Sequence, residues 1–172
     1  TSAGDLNGVK YRTVGLSADL FKEMGAAVTI MGGGEIVPAM DRGLLDAAEF
    51  NNPSSDKLLG FADVSKDYML QSYHQSAESF EIVFNKAKFD ALAPELQAII
   101  KYASEASSAD MSWKAMDRYS TDLAALKEAG VKVHKTPDSV LQAQLAAWDK
   151  VLAAQSAEPF FAKVLESQKA WV

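Results

Sequence analysis

The sequence predicts an α/β fold in which a mostly parallel sheet is flanked by helices and followed by long C-terminal helices. Two observations support this prediction. Over roughly the first 50 residues, short apolar runs alternate with helical periodicity, and strands that alternate with helices form parallel sheets. Over the C-terminal half, apolar residues instead recur at three- to four-residue spacing, which is typical of long helices.

The N-terminal elements follow from apolar patterning and from punctuation by glycine. Strands are predicted over 9–14, 27–31 and 47–50, and helices over 17–24 and 35–42. A turn is predicted over 51–53, where two asparagines precede a proline. Ser17 precedes the first helical run and is expected to cap it. The glycine run at 32–34 lacks the spacing of a dinucleotide fingerprint and the ending of a P-loop, so a simple connection from strand to helix is preferred.

The rest of the chain is predicted to be mostly helical. Two more strands are expected over 68–73 and 80–84, separated by a polar segment over 74–79. Residues 96–126 describe one long amphipathic helix or a broken pair whose apolar face packs on the protein. A short strand over 131–135 and further helices follow. The terminal helix is apolar, so it is expected to pack against another surface.

Composition limits the classes of function. A chain of 172 residues can bury one core, and its apolar runs are far shorter than the ~20 residues of a membrane span. The net charge of -6 argues against a nucleic-acid partner. The absence of cysteine excludes disulfides and thiolate chemistry but fits either cytosol or periplasm. The chain starts without an apolar leader, so a signal peptide is expected either not to exist or to have been removed.

Three strand-end side chains are candidates for binding chemistry. Arg12 lies near the end of the first strand, where its guanidinium could clamp a substrate carboxylate or could equally form an internal ion pair. If the chain stays extended after the third strand, Glu49 and Asn51 share one side and Phe50 faces the other. Carboxylate and backbone carbonyl oxygens suit a hard cation, although an acid at this place is also commonly solvated or a helix cap.

The two histidines do not form a recognisable metal site or catalytic triad. Neither has a second histidine at metal-ligand spacing or a nucleophile elbow nearby. In its predicted strand His134 shares a face with Lys132, which favours a solvated residue. His74 opens the polar segment between two predicted strands and is therefore harder to dismiss.

Four segments in a fixed order carry a resemblance to a known family. They read DLNGVKYR at 5–12, GGEIVPAMDRG at 33–43, LDAAEF at 45–50 and FNK at 84–86. This series resembles the C-terminal part of the solute-binding proteins of TRAP transporters, the DctP-like family, in the branch that binds 2-oxo and 2-hydroxy carboxylates. The resemblance implies a periplasmic-binding-protein-like domain, with the second α/β lobe over 1–130. It assigns to 131–172 a short strand and C-terminal helices that pack on the lobes or on a dimer partner.

The resemblance also implies roles for individual residues. Arg12 matches the arginine that grips the substrate carboxylate, and Glu49 and Phe50 match an acid-aromatic pair whose second position is commonly Trp in cation-dependent members. Gln75 matches a position that is often Glu. A sodium or calcium ion bridging the ligand would then be held by Glu49, Phe50 and Gln75. Asn51 is added from its place on the strand, as a donor to a keto or hydroxyl oxygen.

The function implied is capture without turnover. The resemblance implies a periplasmic protein that delivers a small organic carboxylate to the TRAP membrane permease, with a possible homodimer through the C-terminal helices. One alternative is an α/β enzyme acting on an oxo acid with Glu49 and His74 as acid and base. Another is a helical interaction module built around 94–172.

Overall fold

A computed structural model describes residues 2–75 and 80–171 and shows the mixed α/β class that the sequence predicts. The chain enters through a 3-10 helix at Ala3–Leu6. The strands are β1 (Lys10–Thr13), β2 (Ala27–Ile30), β3 (Ala47–Ala48), β4 (Asp67–Met69) and β5 (Lys132–His134). The helices are α1 (Leu16–Glu23), α2 (Gly33–Asp41), α3 (Pro53–Leu59), α4 (Phe61–Val64), α5 (Lys86–Asp90), α6 (Pro94–Glu128), α7 (Asp138–Gln155) and α8 (Pro159–Trp171).

The first sheet is parallel and has the strand order β2-β1-β3. Strand β1 pairs with β2 from Lys10↔Ala27 to Thr13↔Ile30 and with β3 at Arg12↔Ala48. A helix follows each of the first two strands, as the alternating sequence pattern predicts. Since all three strands run in the same direction, their carboxyl ends meet at one edge of the sheet.

Two apolar cores hold this sheet between helices. Leu20 of α1 packs with Ala147 of α7, and Tyr11 of β1 lies against them. Ile36 of α2 belongs to a separate core that includes Ala48 of β3. Leu20 and Ile36 are completely buried, and full burial of such a side chain contributes about 1.5–3 kcal/mol. The α1 and α2 predictions therefore succeed because each helix has one apolar face to bury.

The C-terminal region is connected to the N-terminal elements by a strand pair and a helix pair. Strand β5 pairs in parallel with β4, and α7 packs against α1. The interpretation of 94–172 as a separate helical module is disfavoured, because β5 pairs with β4 and α7 packs against α1, and both β4 and α1 lie before residue 70.

The long helix α6 is one continuous helix that packs against α3, but most of its predicted apolar face is exposed on the described chain. Leu126, near its end, is buried, whereas Ile99, Trp113 and Met116 are exposed, with 71% of Trp113 accessible. Helix α8 likewise buries none of its described residues, and Trp171 is 89% exposed. The helical period is correct, but most of the apolar stripe has no contact partner within the described chain.

The strand predicted over 80–84 is also wrong. These residues form no regular structure, although Phe80 and Val83 are large, apolar and exposed. A strand requires a ladder partner, and β4 is instead taken by β5. The strand predicted over 68–73 is shorter than expected, because after Met69 the chain leaves the sheet. Part of the predicted polar segment, 76–79, lies outside the described residues.

Two helix starts differ from their sequence predictions. Helix α1 begins after Gly15, whose φ of 60° favours glycine, so the prediction that Ser17 caps the helix is wrong. The predicted turn at 51–53 instead begins α3. The Asn52 side chain accepts hydrogen bonds from the N–H groups of the two residues after Pro53, and Pro53 occupies the first helical position.

No helix in the described part of the chain combines the length and the apolar character that crossing a membrane requires. This agrees with the short apolar runs in the sequence.

Candidate functional site

Arg12 lies at the carboxyl edge of the first sheet and joins the ends of its neighbouring strands. Its Nε and Nη2 donate to the carbonyl oxygen of Met31 at 3.0 and 2.9 Å, and its Nη1 donates to the carbonyl oxygen of Glu49 at 2.7 Å. The guanidinium carbon lies 5.6 Å from the centre of the Phe50 ring. The main partners of Arg12 inside the protein are therefore backbone carbonyls, which the sequence could not distinguish from an ion pair.

These contacts leave part of the guanidinium free for another acceptor. Arginine carries five N–H groups, and three are used by the bonds to Met31 and Glu49. Counting hydrogen bonds among the described residues, one N–H remains on each Nη nitrogen. Arg12 is only 4% exposed. A further acceptor would therefore have to reach these two N–H groups inside the protein, away from bulk solvent.

Glu49 is a buried carboxylate that receives a hydrogen bond from the same sheet edge. Its side chain is 10% exposed, and the Thr13 hydroxyl donates to Oε2 at 2.5 Å. Arg12 Nη1 is 3.9 Å from Oε2, and His74 Nε2 is 3.9 Å from Oε1. Burial raises the pKa of Glu49, against lowering by the Thr13 hydroxyl and the Arg12 charge. A bound cation would favour the ionised form that burial disfavours.

Phe50 packs on a different group of residues from Glu49. Its ring lies nearly parallel to that of Phe61, with the ring centres 5.9 Å apart, and it belongs to the core around Ile36. The ring also lies against Gly33, where an added Cβ would come within 2.5 Å of Phe50 Cε2. A glycine at the start of α2 is therefore required by this packing, and the predicted strand–helix connection explains it without a nucleotide.

A cavity of about 600 Å³ opens beside these residues. Glu49, Phe50 and Asn51 line it together with His74, so the structure brings three of the five predicted binding residues to one wall. Arg12 lies behind this wall and is not among the described residues that line the cavity. Gln75 is exposed and is the last described residue before 80, so its role stays a prediction.

The segment 71–75, which carries His74, is anchored by side chains that the sequence analysis did not identify. Thr136 donates its hydroxyl to the carbonyl of Gln71 at 2.7 Å, and Trp148 Nε1 donates to the carbonyl of Tyr73 at 2.7 Å. Gln144 accepts from the Tyr73 N–H at 2.7 Å and is 2% exposed. In the sequence, the one indication of such an anchor was the amide Gln144, which lies on the apolar stripe of α7.

His74 is held between this anchored segment and the sheet edge. Its Nδ1 lies 2.5 Å from Ser72 Oγ, and its ring centre is 5.8 Å from that of Phe21. Burial lowers the pKa of His74. His134, in contrast, is 44% exposed at its side chain and contacts Asp67, which agrees with the surface position predicted for it.

A second buried carboxyl, Asp56, was missed from the sequence. The Tyr68 hydroxyl donates to Asp56 Oδ2 at 2.5 Å, and both residues line the cavity. Burial raises the pKa of Asp56, and the negative charge of Glu49 adds to the rise. Hydrogen bonds from Tyr68 and from the Asn51 backbone oppose it. The cavity is therefore lined by two carboxyls whose ionised forms are disfavoured chiefly by burial.

The predicted metal ligands share the chemistry of a hard-cation site. The Glu49 carboxylate, the Phe50 carbonyl and the Gln75 amide all offer oxygen, which sodium and calcium prefer. Within the described residues, no three His, Cys, Asp or Glu side chains cluster so that they alone could hold a metal. A cation here would thus need backbone, amide or ligand oxygens in addition to Glu49.

Known proteins provide close matches to the whole chain. The monocarboxylate 2-oxoacid-binding periplasmic protein of Nostoc sp. is 29% identical over 99% of this chain, which covers 47% of that relative. A TRAP periplasmic solute-binding protein of Colwellia psychrerythraea, solved with calcium and pyruvate, superposes with a TM-score of 0.89 at 29% identity. One from Pseudoalteromonas atlantica, solved with sodium and pyruvate, superposes with a TM-score of 0.83 at 26% identity. In both superpositions the match covers 99% of this chain and 53% of the other.

The chain thus spans about half the length of the curated relatives and solved proteins that it matches. The resemblance inferred from the four ordered segments is confirmed by the family comparison. Residues 1–158 match the family described as bacterial extracellular solute-binding protein, family 7 (DctP), and the chain belongs to this family.

Proposed function

We propose that this chain is the second lobe of a periplasmic TRAP solute-binding protein that captures a small 2-oxo or 2-hydroxy carboxylate and delivers it to the membrane permease. The observation that carries the proposal is the buried Glu49 at the wall of the cavity, between Arg12 and His74, at the carboxyl edge of a parallel sheet. Open parallel sheets bind ligands at this edge. The calcium- or sodium-containing pyruvate complexes of similar proteins support the same ligand class.

Each predicted binding residue has a role compatible with its surroundings. The two remaining N–H groups of Arg12 can receive the substrate carboxylate, and Glu49 can hold the cation that bridges the ligand. Phe50 excludes water through its ring and offers its backbone carbonyl. Asn51 can donate to a keto or hydroxyl oxygen, and Gln75 can add an amide oxygen to the cation.

The apolar surfaces left open on this chain support the two-lobe assignment. Ile99, Trp113 and Met116 on α6 and the segment 80–84 are exposed in a chain that spans about half the length of its relatives. In our proposal the remainder of the protein covers these surfaces and forms the other wall of the cavity, with residues 1–130 as one lobe.

The exposed terminal helix supports a homodimer contact as a further part of the proposal. On α8, Phe160 and Trp171 are exposed and Val164 lies between them. In this arrangement residues 131–172 contribute β5 and α7 to their own protomer and α8 to the partner. A dimer measured by light scattering should dissociate on Trp171→Ser if α8 forms the contact, and an unchanged dimer would remove α8 from it.

The enzyme alternative is not favoured. Glu49 and His74 do approach within 3.9 Å, as acid and base would. The matched family and the solved neighbours, however, are solute-binding proteins of transport systems rather than enzymes.

The proposal is tested by calorimetric titration of the complete protein with pyruvate, with and without calcium or sodium chloride. Glu49→Gln retains an acceptor for the Thr13 hydroxyl but removes the charge. We expect its affinity in the presence of cation to fall about 10- to 100-fold, as for other changes around metal ligands. Glu23→Gln, at an exposed ion pair with Lys150 and not among the residues that line the cavity, is the matched control and should bind like wild type. Unchanged cation-dependent binding by the Glu49 variant would contradict the proposed site.

A further inference from the structure

We propose that Gln144 and Ser72 fix His74 in the tautomer protonated at Nε2, so that His74 serves the proposed binding site as a hydrogen-bond donor to a ligand oxygen. This inference rests on the proposed function for the identity of the ligand, but its structural part is independent of it. A chain of hydrogen bonds leads from Gln144 on α7 through Ser72 to His74 at the cavity.

The orientation of the Gln144 amide is set by a group that can only donate. The backbone N–H of Tyr73 lies 2.7 Å from Gln144 Oε1, so the amide oxygen must face Tyr73. The amide nitrogen then faces Ser72 and donates to its Oγ at 2.8 Å. Gln144 itself is 2% exposed, so its amide is held mainly by these protein partners. Trp148 holds the next peptide unit by donating to the Tyr73 carbonyl, so both backbone polar groups of Tyr73 are bound by α7.

The direction of the next bond follows from counting donors at Ser72. Its Oγ accepts from Gln144 Nε2 at 2.8 Å and from the backbone N–H of His74 at 3.3 Å. A hydroxyl has two acceptor positions and one proton. Both acceptor positions are thus filled, so Ser72 Oγ cannot also accept from His74 Nδ1 at 2.5 Å, and of its partners in the described chain this nitrogen is the one that takes the hydroxyl proton.

His74 Nδ1 is therefore an acceptor, and the ring proton resides on Nε2. This nitrogen is 3.9 Å from Glu49 Oε1, too far for a direct hydrogen bond, and both residues line the cavity. An Nε2–H in this position cannot coordinate a cation, since its lone pair is used by the proton. It can donate to a carboxylate or keto oxygen that enters beside Glu49, so His74 adds a donor to the oxygen-rich surroundings of the site.

The tautomer is measured by long-range ¹H–¹⁵N correlation spectra of the complete protein labelled with [¹⁵N]histidine, with His74 assigned by its loss in His74→Gln. We expect the unprotonated shift at Nδ1 and the protonated shift at Nε2. Ser72→Ala and Gln144→Glu should move His74 towards a mixture of tautomers, and Ser72→Thr should restore the wild-type signals. Gln142→Glu, at an exposed position on the same helix, is the control and should leave the spectrum unchanged. Protonation at Nδ1 in wild type, or an unaltered tautomer in Ser72→Ala, would overturn the proposal.

The ligand contact is tested separately with pyruvate and calcium chloride. Loss of one hydrogen bond is expected to weaken binding about tenfold in Ser72→Ala, with recovery in Ser72→Thr. Wild-type affinity in Ser72→Ala, with its tautomer altered, would show that His74 does not donate to the ligand. If the wild-type protein binds no pyruvate, the proposed function and the ligand contact both fail, whereas the spectra still decide whether Gln144 and Ser72 set the tautomer.

Discussion

Replacing Arg12 by alanine should destabilise the protein substantially as well as weaken binding. The change removes three hydrogen bonds from a charged donor, two to Met31 and one to Glu49. Each such bond contributes about 1.5–3 kcal/mol, but they share one side chain and do not add fully. It also removes the positive charge nearest the buried Glu49 carboxylate. Breaking a buried pair in this way typically costs about 3–5 kcal/mol, which is the predicted loss of unfolding free energy.

Thermal unfolding of the complete protein, followed by circular dichroism, measures this loss. For a protein about twice this length, as its relatives are, an unfolding entropy of roughly 2.1 cal/mol/K per residue gives about 1.4 °C per kcal/mol, so Arg12→Ala should lower the Tm by roughly 4–7 °C. Lys10→Ala is the matched control on the same strand. Lys10 is half exposed and contacts Asp46 at 3.5 Å, and exposed pairs contribute about 1 kcal/mol or less. Equal Tm values for the two variants would refute the role of Arg12 as a connection between strand ends.

Two further predictions concern the cavity wall. Gly33→Ala should displace the Phe50 ring, because the added Cβ would lie 2.5 Å from Cε2, and the variant should lose both Tm and pyruvate affinity; an unchanged Tm would contradict this packing. Asp56 has a raised pKa, so the folded protein keeps a proton there that the unfolded chain has lost, and its contribution to stability falls as pH rises above the usual pKa of 3.8. Asp56→Asn should remove this loss of stability with rising pH, while its side-chain oxygen still accepts from Tyr68. Urea unfolding should therefore show the variant gaining stability relative to wild type between pH 4 and about 7. The opposite trend would show that Asp56 is readily ionised in the fold.

The N-terminal sheet could be predicted because its signals are local. Each strand there is a short apolar run followed by a helix, and β1 pairs with the next strand, β2, across the single helix α1. The local pattern does not predict that β3 pairs with β1 rather than with β2. The same local reasoning misread Asn52 and Pro53 as a turn. An N-cap followed by proline also begins a helix, and the helix that follows has no long apolar stripe to reveal it.

The elements that were predicted incorrectly depend on partners distant in the sequence. The alternating residues at 80–84 have strand character, but no strand of the described chain pairs with them. The apolar stripe of α6 predicts a helix correctly without revealing where its contact partner lies. Patterns of period two or 3.6 identify the face that prefers burial, not the surface that buries it.

For the site, the sequence indicated the residues at the sheet edge but not the groups that hold them. Glu49, Phe50 and Asn51 are adjacent in the chain and follow a strand, so their common location was predictable. Gln144 meets the segment 71–75 only through tertiary packing, across about 70 residues of sequence. A single amide on an apolar helical face indicates a buried partner but cannot identify it.

The most direct test of the central claim is a crystal structure of the complete protein grown with pyruvate and calcium. The account predicts pyruvate and one calcium ion in the cavity, with the ion against Glu49, the carboxylate directed towards Arg12, and His74 Nε2 within hydrogen-bond distance of a ligand oxygen. Pyruvate bound at another surface, with the Glu49 carboxylate still contacting only Thr13, Arg12 and His74, would contradict it.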